Sequence, residues 1–179
     1  MQRSSLKAIT VTVVLATLAA CAASEITSVD ATSQAQQAHL FTSAQPNLLE
    51  CPTSSTVTAT GVVTPLDGGL IALGGTRVMV PAGAVAEATT ITLTIPASRF
   101  MEIDVSVAGV DHFLFQLPIT VAVDYSRCNR SNIFRSSLTA WYIDSQTKAP
   151  LEQMPSVDNK LTQTVIFTTG HLSGYALAN

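Results

Sequence analysis

Few side chains in this 179-residue chain can do chemistry: three cysteines (Cys21, Cys51, Cys128), three histidines (His39, His112, His171) and a close pair of carboxylates, Glu102 and Asp104. A thiol can be acylated, oxidised to a disulfide or bound to a metal. No two histidines fall at metal-ligand spacing, and nothing near Cys51 or Cys128 supplies further His or Cys, so no metal is expected. His112 stands beside Asp111 on the polar side of its strand and reads as a surface histidine. Glu102 and Asp104 share one face of a strand, about 7 Å apart on a wet surface, where neither needs an unusual pKa. Asp67-Gly68-Gly69 reads as a turn rather than a phosphate cradle, because no helix start or Lys follows it. The expectation is a protein that is not an enzyme and holds no cofactor, with a hydrolase site built from residues distant in sequence left open.

Composition narrows the partners. Apolar residues make up 47% and charged residues only 12%. Thr, Ser, Val and Ala dominate the remainder, a palette suited to pleated strands and turns. The formal charge is −3, and losing Arg3 and Lys7 with the leader described below takes two positive charges away, giving about −5. Nucleic acid is not expected as a partner, since the few arginines (Arg127, Arg130, Arg135) cluster in one short stretch that reads as a loop.

These residues must be carried to their place and held there. Residues 1–20 have the build of an export signal: Arg3 and Lys7 give a positive start, Ala8 to Ala20 an apolar run, and small residues close it. That run has 13 residues, three of them Thr, short of the roughly 20 that a spanning helix needs. Its ending, Leu18-Ala19-Ala20-Cys21, resembles the lipobox of bacterial lipoproteins. The resemblance implies that the Cys21 thiol is acylated with diacylglycerol and that cleavage then makes Cys21 the new N-terminus. Several acyl chains, at about 0.8 kcal/mol per buried methylene, give stable anchoring. An ordinary signal peptide with an accidental cysteine is the alternative. Ala22 lacks the aspartate associated with inner-membrane retention in such lipoproteins, which leans the placement to the outer membrane of the cell envelope.

Residues 21–49 are mostly small and polar without a sustained period, and read as a flexible tether spanning about 30 Å r.m.s.. His39, with Leu40 and Phe41, falls in this linker. With Cys21 lipidated, Cys51 and Cys128 are the thiols left in an oxidising compartment, and a disulfide between them is expected. Two free buried thiols or a metal site are the alternatives.

The segment 50–179 reads as one all-β domain, an antiparallel β-sandwich of about eight to ten short strands. Ile91, Leu93 and Ile95 alternate with threonines, and Met101, Ile103, Val105 and Val107 alternate with Glu102, Asp104 and Ser106. The same period predicts strands over Phe113, Phe115 and Leu117, over Ile119, Val121, Val123 and Tyr125, and over Leu161, Val165 and Phe167. Leu138 to Ile143, Thr56 to Val63 and Tyr175 to Ala178 add three more. Turns are expected at Asp67-Gly68-Gly69, Gly74-Gly75, Pro81-Ala82-Gly83, Pro96, Pro118 and Asp158-Asn159, and a helical turn at Cys128 to Arg135. Trp141 is expected in the core; facing outward beside Tyr142, it would instead make an aromatic binding surface.

From Gly68 the run GGLIALGGTRVMVPAGAVAEATTITLTIPAS resembles the ZU-type β-sandwich domain of zonula occludens proteins, netrin receptors and ankyrins. In that pattern a Gly-Gly strand and a second strand lead into a Pro-Ala-Gly-Ala-Val turn, where Gly83 would take φ > 0. The resemblance covers residues 68 to 98 well and the remainder loosely. It implies a domain that mediates contacts, here with another protein, a glycan or the cell wall. His171-Leu172-Ser173 resembles the tripeptide at which some such proteins cut themselves. That likeness implies a Ser173 hydroxyl attacking the preceding carbonyl while His171 assists proton transfer. Under the plainer expectation His171 bonds nearby backbone, Ser173 begins the last strand, and Tyr175 and Leu177 fill the core.

Overall fold

The computed structural model describes residues 45–110, 112–128 and 136–179. Cys21, the segment 1–20, most of the tether, Asp111 and the expected helical turn beyond Cys128 lie outside the described residues. The described chain is all-β, and its thirteen strands are β1 (Glu50–Thr53), β2 (Val57–Val63), β3 (Gly69–Leu73), β4 (Thr76–Val80), β5 (Thr89–Ile95), β6 (Ser98–Phe100), β7 (Glu102–Val107), β8 (Leu114–Asp124), β9 (Thr139–Ile143), β10 (Pro150–Gln153), β11 (Ser156–Asn159), β12 (Thr164–His171) and β13 (Gly174–Ala178). Six form one antiparallel sheet in the order β10-β9-β13-β7-β5-β2, and five form a second in the order β11-β12-β8-β4-β3. β1 and β6 make a two-stranded ribbon.

Alternation explains the core. Ile91 and Leu93 of β5 and Ile103 and Val105 of β7 face inward from the larger sheet, and Val78, Val121 and Val165 meet them from the other; all are at most 1% exposed. The Phe167 and Tyr175 rings pack across the layers with centroids 4.9 Å apart. Gly74 and Gly75, both at positive φ, close the two-residue β3–β4 hairpin. Gly83 takes φ +80, as the turn required, and its N–H donates to the Pro65 carbonyl at 2.8 Å.

The Cys51 and Cys128 sulfurs are bonded, closing a separation of 77 residues. Arg127 braces this staple by donating to the Cys51 and Pro52 carbonyls.

Several local expectations are corrected. The count exceeds eight to ten because β1, β6, β10 and β11, each of three or four residues, are too short to show a period. Pro118 is not a turn: β8 runs through it as one eleven-residue strand. The register against β12 jumps between Ile119–Thr169 and Leu114–His171, so Pro118 sits at a bulge where no ladder N–H is required. Leu161 lies in the β11–β12 turn and is 98% exposed, because the strand starts three residues later. Trp141 is half-buried rather than in the core. Its neighbour Tyr142 pairs with inward-facing Tyr175, so Trp141, opposite Ala176, stands on the outer face, with its indole N–H donating to Thr139 Oγ1.

Candidate functional site

The chain passes from one sheet to the other in two residues. His171 ends β12, Gly174 begins β13, and Leu172 and Ser173 cross between them. Both sides of the crossing are pinned: the Leu172 N–H donates to the Phe113 carbonyl at 3.1 Å, and the Val105 N–H donates to the Ser173 carbonyl at 3.0 Å. The His171 carbonyl accepts from the Tyr175 hydroxyl at 2.7 Å and from Thr169 Oγ1 at 3.1 Å. Burial pushes the Tyr175 phenol up to about 12, consistent with a hydroxyl that stays a donor.

This geometry separates the two residues of the expected pair. The His171 ring meets the Tyr142 ring edge-on at 5.3 Å, and its Nδ1 lies 3.5 Å from the Tyr175 hydroxyl. Ser173 instead opens into a cleft of about 210 Å³ at the mouth of the crossing. Among the described residues no hydrogen bond joins His171 to Ser173, and the positive-φ residues other than glycine, Lys148 and Gln163, lie elsewhere.

Three elements build the cleft. β7 contributes Asp104 and Ser106, the β9–β10 turn contributes Asp144 and Ser145, and His112 and Ser173 come from the loops flanking them. The Asp104 carboxyl is half-buried opposite Gly174. Burial raises its pKa, against a hydrogen bond from Ser106 and the pull of the Lys148 ammonium. Asp144 is the opposite case: the Thr147 N–H and hydroxyl and the Gln146 N–H all donate to it and lower its pKa, fixing the turn.

That turn also overturns the wet-face reading of Glu102 and Asp104. Lys148, held at φ 60 with its N–H on the Asp144 carbonyl, reaches back over the sheet. Its ammonium lies 3.0 Å from Glu102 Oε2, and the Glu102 side chain is only 3% exposed. Strand period alone put both carboxylates in water; a six-residue return over the outer face buries Glu102 and leaves Asp104 half-buried. Of the cleft residues, Asp104, His112 and Ser173 were singled out from sequence, and Tyr142 only as the companion of Trp141, while Asp144 and Ser145 were not. The polar stretch Asp144-Ser-Gln-Thr-Lys between two strands was their one signal, and it marked a turn rather than a wall of a cavity.

Among the described residues no group of three or more His, Cys, Asp or Glu side chains is placed to hold a metal ion. The chain matches no family model and no curated protein.

Proposed function

We propose that this chain is an exported, lipid-anchored protein of the cell envelope, leaning to the outer membrane. Its sandwich serves as a non-catalytic binding or structural module of ZU-like type. The membrane is its first partner, through acylated Cys21, and the residues between Cys21 and the stretch 47–49, which is bonded to the sandwich, hold the domain off the headgroups. The observation that carries the reading is the Cys51–Cys128 bond. A disulfide fits an oxidising compartment, and of three cysteines it leaves Cys21 alone, directly after an apolar run ending in small residues. Mass spectrometry of protein purified from its native membrane tests it. A chain starting at Cys21 and carrying acyl chains is expected, and Cys21→Ala should abolish both the lipid and membrane retention. A chain that keeps residues 1–20 and carries no lipid would overturn it.

A second reading is self-cleavage between Leu172 and Ser173, favoured by the placement of Ser173 in a cleft at a two-residue crossing between sheets. The Ser173 hydroxyl would attack the Leu172 carbonyl, its proton passing to the departing Ser173 nitrogen; His171, turned toward Tyr142 and Tyr175, would have to swing toward Ser173 to assist. Water would then hydrolyse the resulting ester. Intact mass under denaturing conditions decides it: the peptide Ser173 to Asn179 is released, or one unbroken mass persists.

A further inference from the structure

We propose that β2, an edge strand of the six-stranded sheet, pairs antiparallel with β2 of a second copy of this chain, joining two sheets edge to edge. The inference rests on reading the sandwich as an anchored structural module, and it gives that module a partner. Among the described residues β2 has β5 as its one strand neighbour, and all seven of its residues pair with β5 without a shift in register. Its far side is open. Ala59 and Gly61 share the inward phase of fully buried Val63, yet both are only half-buried, as residues with no further strand beyond them. In antiparallel pairing alternate residues turn N–H and C=O away from the neighbour, so β2 offers backbone donors and acceptors on that side.

The other edges of the two large sheets are guarded in ways that β2 is not. β10 is four residues long, starts at Pro150, carries Glu152 and breaks register against β9. β11 is equally short, carries Asp158 and is backed by Ala140, whose N–H donates to Ser156 Oγ. β3 begins against β2 itself, since a Cβ on Gly69 would stand 2.6 Å from Val63 Cγ1. Residues 56–64 instead hold no charged side chain and no proline. A long edge without such guards is a template for another strand. This strand is also its own complement. A two-fold axis through Thr60 sets Thr60 against Thr60, Thr58 against Val62 and Val57 against Val63, with no like charges facing. β2 already makes such pairs with β5, where Thr60 faces Thr92 and Val62 faces Thr90. One strand pairing is smaller than the roughly 1,200 Å² of a stable interface. Lipid anchors that confine both copies to one membrane plane raise their effective concentration and offset this.

Cross-linking of the full-length chain in whole cells, with a short thiol-reactive linker and the wild-type chain as blank, tests the pairing. Thr60→Cys, at an exposed outward-facing position, is expected to yield a homodimer identified by mass. Thr58→Cys alone should not, because its two copies stand about 13 Å apart along the strands. Thr58→Cys mixed with Val62→Cys should cross-link, and it decides the matter should Thr60→Cys disturb the fold. Adding Thr60→Lys to both members of that mixture sets two ammonium groups face to face and should cut the yield about fivefold. Equal yield from Thr58→Cys alone, an adduct with a different protein, or no dimer from cysteines that still react with a monofunctional maleimide would each overturn the proposal. Lipid on Cys21, read by mass in the same samples, reports the anchor separately, so anchored but unpaired copies are distinguishable from a chain without an anchor.

Discussion

Lys148 and Glu102 form an ion pair whose two ends sit in different surroundings: the lysine side chain is 34% exposed and the glutamate 3%. Glu102 Oε1 is buried with no hydrogen-bond partner, so the neighbouring ammonium is what keeps this carboxylate in place. Lys148→Met should therefore destabilise the fold by about 3 kcal/mol, the usual cost of leaving a buried charge alone. Adding Glu102→Met should recover most of that loss, since an apolar pair of similar volume needs no counter-charge. Urea titrations of the three variants form a cycle, and a double variant no better than Lys148→Met would sink the argument. Asp104, two residues along, makes a pH prediction. Its folded pKa lies above the ordinary 3.8, so between the two values the folded state holds a proton the unfolded state has released. Stability from this group is then full below 3.8 and is lost as pH rises through the folded value. Asp104→Asn removes that slope, so its stability relative to wild type should climb as pH rises from about 3.5 toward neutrality. A flat difference across that range would show that burial does not govern this carboxylate.

At the scale of elements, two glycines separate the conformational part of a turn from its packing part. Gly68 and Gly109 both have positive φ, at 66 and 76. A Cβ on Gly68 would stand 2.1 Å from the Val80 carbonyl oxygen, whereas one on Gly109 meets nothing within 4 Å. Gly109→Ala should cost about 1 kcal/mol, the penalty for the left-handed region alone. Gly68→Ala should cost about 3 kcal/mol, because backbone must move as well. Equal midpoint shifts in thermal unfolding would refute the distinction. The Asp67-Gly68-Gly69 turn was legible in sequence because its signal is local, as was the alternation of β5 and β7. What was not legible depends on partners far along the chain. Pro118 has the composition of a turn, and only the bulge against β12 reveals why a strand tolerates it. Leu161 continues the apolar phase of Val165 and Phe167, yet the register Asn159–Thr164 makes it part of a hairpin turn. The cleft was illegible for the same reason, since its walls come from β7, the β9–β10 turn and the sheet crossing, brought together by a strand order that follows no sequential rule.

For the whole domain, the question is what keeps the N-terminal ribbon on the sandwich. Among the described residues β1 pairs only with β6, itself three residues long, and the chain before it is tied through Asn47, which exchanges backbone hydrogen bonds with Asn179, and Leu49, whose N–H donates to the Leu177 carbonyl and whose carbonyl accepts from Met101. Those contacts are few beside the ladders of the two large sheets. The disulfide adds a covalent tie from β1 to the segment after β8, across 77 residues. In the chain-entropy account a loop of that length restricts the unfolded chain by about 4 kcal/mol, a figure at the upper end of what disulfides contribute. Cys51→Ser combined with Cys128→Ser should therefore lower the urea midpoint strongly, and do so unevenly. Hydrogen exchange is expected to quicken first at β1 and β6, before β8 and β12, whose ladders stay intact. If exchange instead quickens equally in β1 and β8, the bond acts only on the unfolded chain, and the ribbon is held by its own backbone contacts.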